Sequence, residues 1–291
     1  MNTARAARVN VQELAERYRL ALREVPRRGR AGEVLGRGAG SSLEFQDHRN
    51  YSVGDDVRHI DWRALARTDQ VMVRVYREEL RPRLELLIDA SRSMGTDPAK
   101  KQCALDLARF FARVGAAGGI EVRCIALGDE PRPLGADGPM GVDAIEGQEL
   151  ACDGRTPLSA AIQAAAPFLG HGCLRLVISD FLAPKDAREL VRPLATRAGA
   201  LVLVQVLSEA DAEPRAGEAL RLTDAETDET ADVWIDAAVV ARYRARLAAL
   251  VQSLDVEARR AGGRFFSITA GETLEVTCAR RFVPAGLLEP A

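Results

Sequence analysis

Five oxygen-bearing side chains stand out for their type and spacing. Asp89, Ser91 and Ser93 alternate along one short stretch, Thr156 lies in a second, and Asp180 in a third. Carboxylates and hydroxyls are hard ligands, of the kind that hold magnesium or manganese in octahedral oxygen coordination. A spacing of two lets a loop wrap an ion with alternate side chains turned inward. Only Asp89 and Asp180 carry charge, so an ion held by this set keeps a net positive character. It can then take a carboxylate from another molecule as its last ligand. An Asp-x-Ser-x-Ser string alone is commonly just a turn or helix cap, because Asp and Ser bond nearby backbone N–H groups. The pattern gains meaning only if the fold gathers all three segments.

The elements around these residues predict that it does. Leu84, Leu86, Leu87 and Ile88 form a short apolar run ending at Asp89, as a buried parallel strand would. A helix follows, with Cys103, Leu107, Phe110, Phe111 and Val114 on one face, closed by Gly118-Gly119. Ile120 to Leu127 reads as a strand and 128–150 as loop. Thr156-Pro157 opens a helix, with Thr as N-cap and Pro in the first helical position. Leu174 to Ile178 reads as a strand delivering Ser179-Asp180, followed by a helix over 185–197 and a strand over 201–207. Residues 208–232 are acidic and read as loops. A long helix through Val240, Leu247 and Leu254 and a late strand at 265–268 complete the series. Alternating strands and helices predict an α/β fold, a doubly wound, mainly parallel sheet with helices on both faces. In such sheets ligands bind beyond the carboxyl ends of the strands, where Asp89, Ser91, Ser93, Thr156 and Asp180 all fall.

The chain divides by composition into three parts. Residues 1–32 predict a helical arm over 11–25, with Asn10 as its cap, then an Arg- and Gly-rich linker; a helix packed on the main body is the alternative. Residues 33–83 are polar, rich in Gly and weakly periodic, with one strand suggested by Val71, Val73 and Val75. Residues 84–291 form the α/β domain.

At this level of detail the chain resembles known families. Asp89-Ala90-Ser91-Arg92-Ser93, Thr156-Pro157-Leu158 and Ser179-Asp180-Phe181 are similar to the metal-ion-dependent adhesion site of von Willebrand factor A domains. In that family the corresponding Asp, two Ser, Thr and late Asp bind the ion directly or through water. Arg155 departs from the pattern, which often has Gly there. Upstream, Arg49-Asn50-Tyr51, Gly54-Asp55-Asp56 and Arg58-His59-Ile60-Asp61-Trp62-Arg63 resemble a bacterial family of uncharacterised function. Its members join this segment to an A-like domain and are commonly associated with MoxR-type AAA+ ATPases. The resemblance implies a metal-dependent interaction adaptor that works with such an ATPase and captures a client through an acidic residue. Within it, Asp55, Asp56, Arg58, Asp61, Trp62 and Arg63 are candidates for partner binding. The alternative is a turn held by local ion pairs with Trp62 as a packing anchor.

Composition narrows the classes further. With 40 basic and 42 acidic residues there is no basic excess for a general nucleic-acid binder. No apolar run is long enough to span a bilayer, and the first ten residues do not read as a secretory signal, so a cytoplasmic setting is expected. The five cysteines form no CxxC pair, and Cys103, Cys124 and Cys173 sit in apolar segments as core residues. Gly36, Gly38 and Gly40 lack the strand and the Gly-Lys-Ser/Thr string of a phosphate loop and read as a hinge. His48, His59 and His171 select no nucleophile. Two other chemistries use the same sheet edge. One is a metal-dependent phosphate-ester hydrolase, with Asp89 as the sole nucleophile or base by position. The other is a metal-free scaffold in which Arg155 replaces the ion's charge.

Overall fold

The computed structural model describes residues 11–21, 43–52, 55–78, 83–134, 145, 150–182, 186–225 and 227–291. The expected Asn10 cap, the Arg- and Gly-rich linker and the glycine hinge lie outside them. The chain forms two compact units, one from residues 1–25 with 82–291 and one from 26–81.

Of the expected helix over 11–25, residues 22–25 lie outside the described residues; the described part forms a short helix, α1 (Val11–Ala15), followed by a strand, β1 (Tyr18–Leu20). β1 pairs antiparallel with the last strand of the chain. Leu14, Ala15 and Leu20 are buried in the main core, and the Tyr18 ring meets Phe110 edge-on. Strand pairing overrides the helical spacing here, because it satisfies the backbone while still burying the apolar side chains. These residues are therefore part of the body, not a free arm.

The smaller unit pairs β2 (Leu43–Asn50) with β3 (Met72–Glu78) in an antiparallel ladder with an irregularity between Phe45 and Asp47. Between them lies α2 (Trp62–Thr68), capped by Asp61.

The larger unit continues with β4 (Arg83–Asp89), α3 (Arg92–Gly95), α4 (Pro98–Ala117), β5 (Glu121–Leu127), β6 (Arg132–Pro133), α5 (Leu158–Ala165), β7 (Leu174–Ser179), α6 (Ala187–Ala195), β8 (Ala200–Leu207), α7 (Glu209–Ala212), β9 (Glu218–Thr223), β10 (Thr230–Ile235), α8 (Ala237–Arg260), β11 (Arg264–Thr269), α9 (Leu274–Thr277) and β12 (Leu288–Pro290). Six of its strands form a sheet in the order β11-β8-β7-β4-β5-β6, parallel except for the edge strand β6. Alternation along the strands feeds two cores. Leu84, Leu86 and Ile88 face α4, where Phe110 and Phe111 meet edge to face and Phe282 lies tilted against Phe111. Leu87, Val177 and Leu203 face α5, α6 and α8. This is the doubly wound, mainly parallel α/β architecture that the sequence predicts.

Two buried polar residues interrupt the apolar strands, and they answer each other. Glu85 on β4 and Arg175 on β7 are register partners. Arg175 is fully buried; it donates from Nε to Glu85 at 3.0 Å and to the carbonyls of Gly170, Leu194 and Thr196. Glu85 also accepts from the Gly170 N–H and the Cys173 thiol. A buried ion pair survives only when its remaining valences are satisfied in this way.

The structure revises two further expectations. Residues 208–232 are not all loop: they contain α7, opened by a Ser208 capping box, and the two-stranded β9–β10 hairpin. The helix after Thr156 begins at Leu158 with Pro157 in the cap position, so Thr156 does not cap it. All five cysteines are free, and Cys124, Cys173 and Cys278 are buried. No helix among the described residues is long and apolar enough to cross a membrane.

Candidate metal centre

The strand order creates the position at which ligands gather. From β4 the chain crosses through α4 to β5 on one side; from β7 it crosses through α6 to β8 on the other. Because α4 and α6 lie on opposite faces, the connections leaving the carboxyl ends of the adjacent strands β4 and β7 diverge, as at the switch point of any open α/β sheet. Asp89 ends β4 and Asp180 immediately follows β7.

Asp89 is buried. Its Oδ1 accepts from the Ser91 N–H at 2.9 Å, and its Oδ2 accepts from the Ser179 hydroxyl at 2.5 Å. The Ser91 and Ser93 hydroxyl oxygens are 3.0 Å apart. Burial pushes the Asp89 carboxyl up to about 6, and the neighbouring charge of Asp180 adds to the rise. No cation among the described residues pairs with it.

Thr156 reaches this end of the sheet through backbone stitching. Arg92 donates its N–H to the Gly154 carbonyl and Gly154 donates to the Ala90 carbonyl. Gly154 is needed for this approach, since a Cβ there would lie 3.1 Å from the Ala90 oxygen and 3.0 Å from Gly128 Cα. Asp129, just after β5, takes the N–H groups of both Arg155 and Thr156 at 2.7 Å. The Thr156 hydroxyl also bonds to Asp129, and these contacts hold the Asp129 carboxyl below its ordinary value. A hydroxyl whose proton is donated elsewhere keeps oxygen lone pairs for a cation.

Asp180 differs from Asp89 in having a resident cation. The buried Lys100 donates to Asp180 Oδ2 at 3.0 Å and to Asp211 Oδ2 at 3.2 Å. Burial pulls the Lys100 pKa down, but the two carboxylates outweigh it and the net shift is upward. Asp180 is further fixed by the Gln205 amide on its carbonyl at 2.8 Å, and the next residue, Phe181, is buried with φ of 49°. A bulky residue in the left-handed region is strained and marks a turn fixed by its surroundings.

Sequence reading missed Lys100 and Asp129, and gave Ser179 no bonding role of its own. Lys100 had a signal, since it shares a helical face with Ala104, Leu107 and Phe111. Arg155, the departure from the family pattern, pairs with Asp228 at 3.0 Å. Nor does any group of three or more His, Cys, Asp or Glu gather among the described residues. An ion at this edge would therefore rest on hydroxyls and two carboxylates, a donor set that suits magnesium. The deficit of positive charge on buried Asp89 fits such an ion, whereas Lys100 already balances part of the charge on Asp180.

In the smaller unit the predicted partner-binding acids make local bonds. Asp55 pairs with Arg49 at 2.6 Å and Asp56 with Arg58 at 2.6 Å, while Asp61 caps α2 and meets His48 at 2.8 Å. Arg63 gives its N–H to Asp61. Trp62 is 65% exposed and so does not anchor packing within this unit.

Uncharacterized proteins of Mycobacterium tuberculosis and Mycobacterium bovis are 30% identical over 219 residues, covering 72% of this chain and 68% of theirs. Among solved structures, an aerotolerance-related membrane protein from Bacteroides fragilis aligns at 15% identity and TM-score 0.41, over 71% of this chain and 98% of that one. BatB from Bacteroides thetaiotaomicron aligns at 13% and 0.39, over 70% and 96%. A von Willebrand factor type A protein from Catenulispora acidiphila aligns at 12% and 0.40, over 75% and 44%. The family model described as protein of unknown function DUF58 matches residues 47–252, most of the chain, and the protein belongs to that family.

Proposed function

We propose that this protein is a non-enzymatic, metal-dependent interaction adaptor. Mg²⁺ (or Mn²⁺) would be held by Asp89, Ser91, Ser93, Thr156 and Asp180, and would capture an acidic side chain of a partner. The observation that carries this reading is the buried Asp89 carboxylate beside Asp180, bonded to the Ser179 and Ser91 hydroxyls and the Ser91 N–H but to no cation among the described residues. A divalent cation is the simplest group to relieve that charge, and the carboxyl ends of the strands are where ligands bind in such sheets.

The resemblance to families that accompany MoxR-type AAA+ ATPases suggests the setting: cytoplasmic assembly or maturation of a client, with ATP used by the partner. Asp55, Asp56, Arg58, Asp61, Trp62 and Arg63 would then belong to a second contact surface, with the exposed Trp62 and Val57 as its apolar part. Calorimetric titration of Mg²⁺ into the full chain tests the metal, with Asp89→Ala as comparison. Heat of binding in the wild type, lost in the variant, is expected; equal heats from both overturn the reading. Turnover of p-nitrophenyl phosphate that disappears in Asp89→Ala would favour the hydrolase instead.

A further inference from the structure

A carboxylate already sits beside the candidate metal centre, and it belongs to this chain. Asp228, in the 224–229 connection between β9 and β10, accepts from Arg92 on Oδ1 at 2.7 Å and from Arg155 on Oδ2 at 3.0 Å. The positions of these arginines are informative. Arg92 lies between Ser91 and Ser93, and Arg155 directly precedes Thr156. The two segments are tied together by the Arg92 N–H on the Gly154 carbonyl. Two guanidinium groups from separate loops, each beside candidate metal ligands, thus converge on one acidic side chain, one on each oxygen.

We propose that Arg92 and Arg155 are the carboxylate-reading pair of the interaction surface, filled in the free protein by Asp228, and that an acidic residue of a partner protein binds by replacing it. This rests on the adaptor reading above and names how its surface recognises a partner. Guanidinium groups match carboxylate geometry and stay charged at any physiological pH. With Asp228 withdrawn they leave two positive charges at the rim of the site, so the occupant they select is anionic.

The strength of the internal contact suits exchange. The Arg92, Arg155 and Asp228 side chains are 33%, 61% and 45% exposed, so water competes for every bond. The support of Asp228 is slight as well. β9 and β10 pair only with each other, and Leu220, Leu222 and Trp234 on them are exposed. An isolated two-stranded hairpin is marginal in water. Asp228 itself has φ of 62° within a turn closed by Asp224. Asparagine tolerates that conformation, so Asp228→Asn removes the charge while keeping the turn.

The test uses the full chain and fluorescein-labelled hexaglutamate as probe, read by anisotropy at low ionic strength. An internal competitor worth one or two exposed ion pairs reduces apparent affinity by about three- to tenfold, so Asp228→Asn should bind the probe tighter by that factor. Adding Arg92→Gln and Arg155→Gln to that variant should abolish the gain. Glu229→Gln, which removes a neighbouring charge, should leave affinity at the wild-type value. Saturating probe should also speed amide hydrogen exchange across 218–235 in the wild type. Equal affinity of wild type and Asp228→Asn overturns the proposal, as does binding to neither, an equal gain in Glu229→Gln, or a gain that survives loss of both arginines. Running each arm in Mg²⁺ and in EDTA separates the two readings. A gain in EDTA from a protein that binds no Mg²⁺ leaves the arginine pair standing without the metal. Mg²⁺ binding with no gain leaves the metal without the arginine pair.

Discussion

Lys100 and Asp180 form an ion pair of 3.0 Å in which the side chains are only 2% and 5% exposed. The pair sets a strand-end carboxylate against a helix lysine, and Asp211 shares the same ammonium. Part of the negative charge at the sheet edge is therefore balanced from within the fold, while Asp89 is not.

Removing one partner of a buried ion pair leaves the other uncompensated, at about 3–5 kcal/mol. Lys100→Met should lose stability on that scale in urea unfolding. Added Mg²⁺ should restore part of the loss, since an ion bound only by the folded state stabilises it. A variant as stable as the wild type in EDTA would show that the pair contributes no net stability.

Asp89 makes stability depend on pH in a defined direction. Its folded value is about 6 against an ordinary 3.8, so between pH about 4 and 6 the folded state holds a proton that the unfolded chain has released. Stability in EDTA should therefore fall as pH rises through that window and level off above it. The gap corresponds to about 3 kcal/mol at most. Asp89→Asn should remove this slope. Parallel melting curves for the two proteins from pH 4 to 7 would contradict the assignment.

Asp129 gives a test of positioning without charge loss at the ion itself. Asp129→Ala frees the N–H groups of Arg155 and Thr156, both on the surface side of the loop. Mg²⁺ affinity should drop by about tenfold, the scale found for groups that orient metal ligands. The melting temperature should change little. Unchanged calorimetric affinity would mean that Thr156 is held by the loop stitching alone.

The Glu85–Arg175 pair lies four residues before the carboxyl end of β4, and so about 13 Å from Asp89 along the strand. Arg175→Met should cost about 3–5 kcal/mol by stranding Glu85, and Glu85→Gln in the same chain should recover part of it. Neither change should alter Mg²⁺ affinity. A double variant no more stable than Arg175→Met would argue against coupling.

Much of the fold was legible because periodicity carries it. Apart from Glu85 and Arg175, the runs before Asp89 and Asp180 are apolar on both faces, as in covered parallel strands, and the helices between them show a single apolar face. The ligand candidates follow from the same pattern, since residues directly after parallel strands must lie at one edge. Local order in the acidic stretch 208–232 was not legible. Its hairpin alternates weakly and leaves large apolar side chains exposed, so nothing in the spacing distinguishes it from loop.

Taken alone, the amino-acid order determined which residues could be strand ends, and hence that Asp89, Ser91, Ser93 and Asp180 share a sheet edge; strand and helix periods are local properties that a chain expresses without its distant parts. Tertiary structure alone decided what those groups bond to. Lys100 reaches Asp180 across 80 residues, Arg92 reaches Asp228 across 136, and Glu85 reaches Arg175 across 90. Such charge pairs depend on which strands become neighbours and on how deeply the side chains are buried. Environment, not identity, is also what separates Asp89, pushed up to about 6 by burial, from Asp129, held below its ordinary value by hydrogen bonds from Thr156 and Arg155.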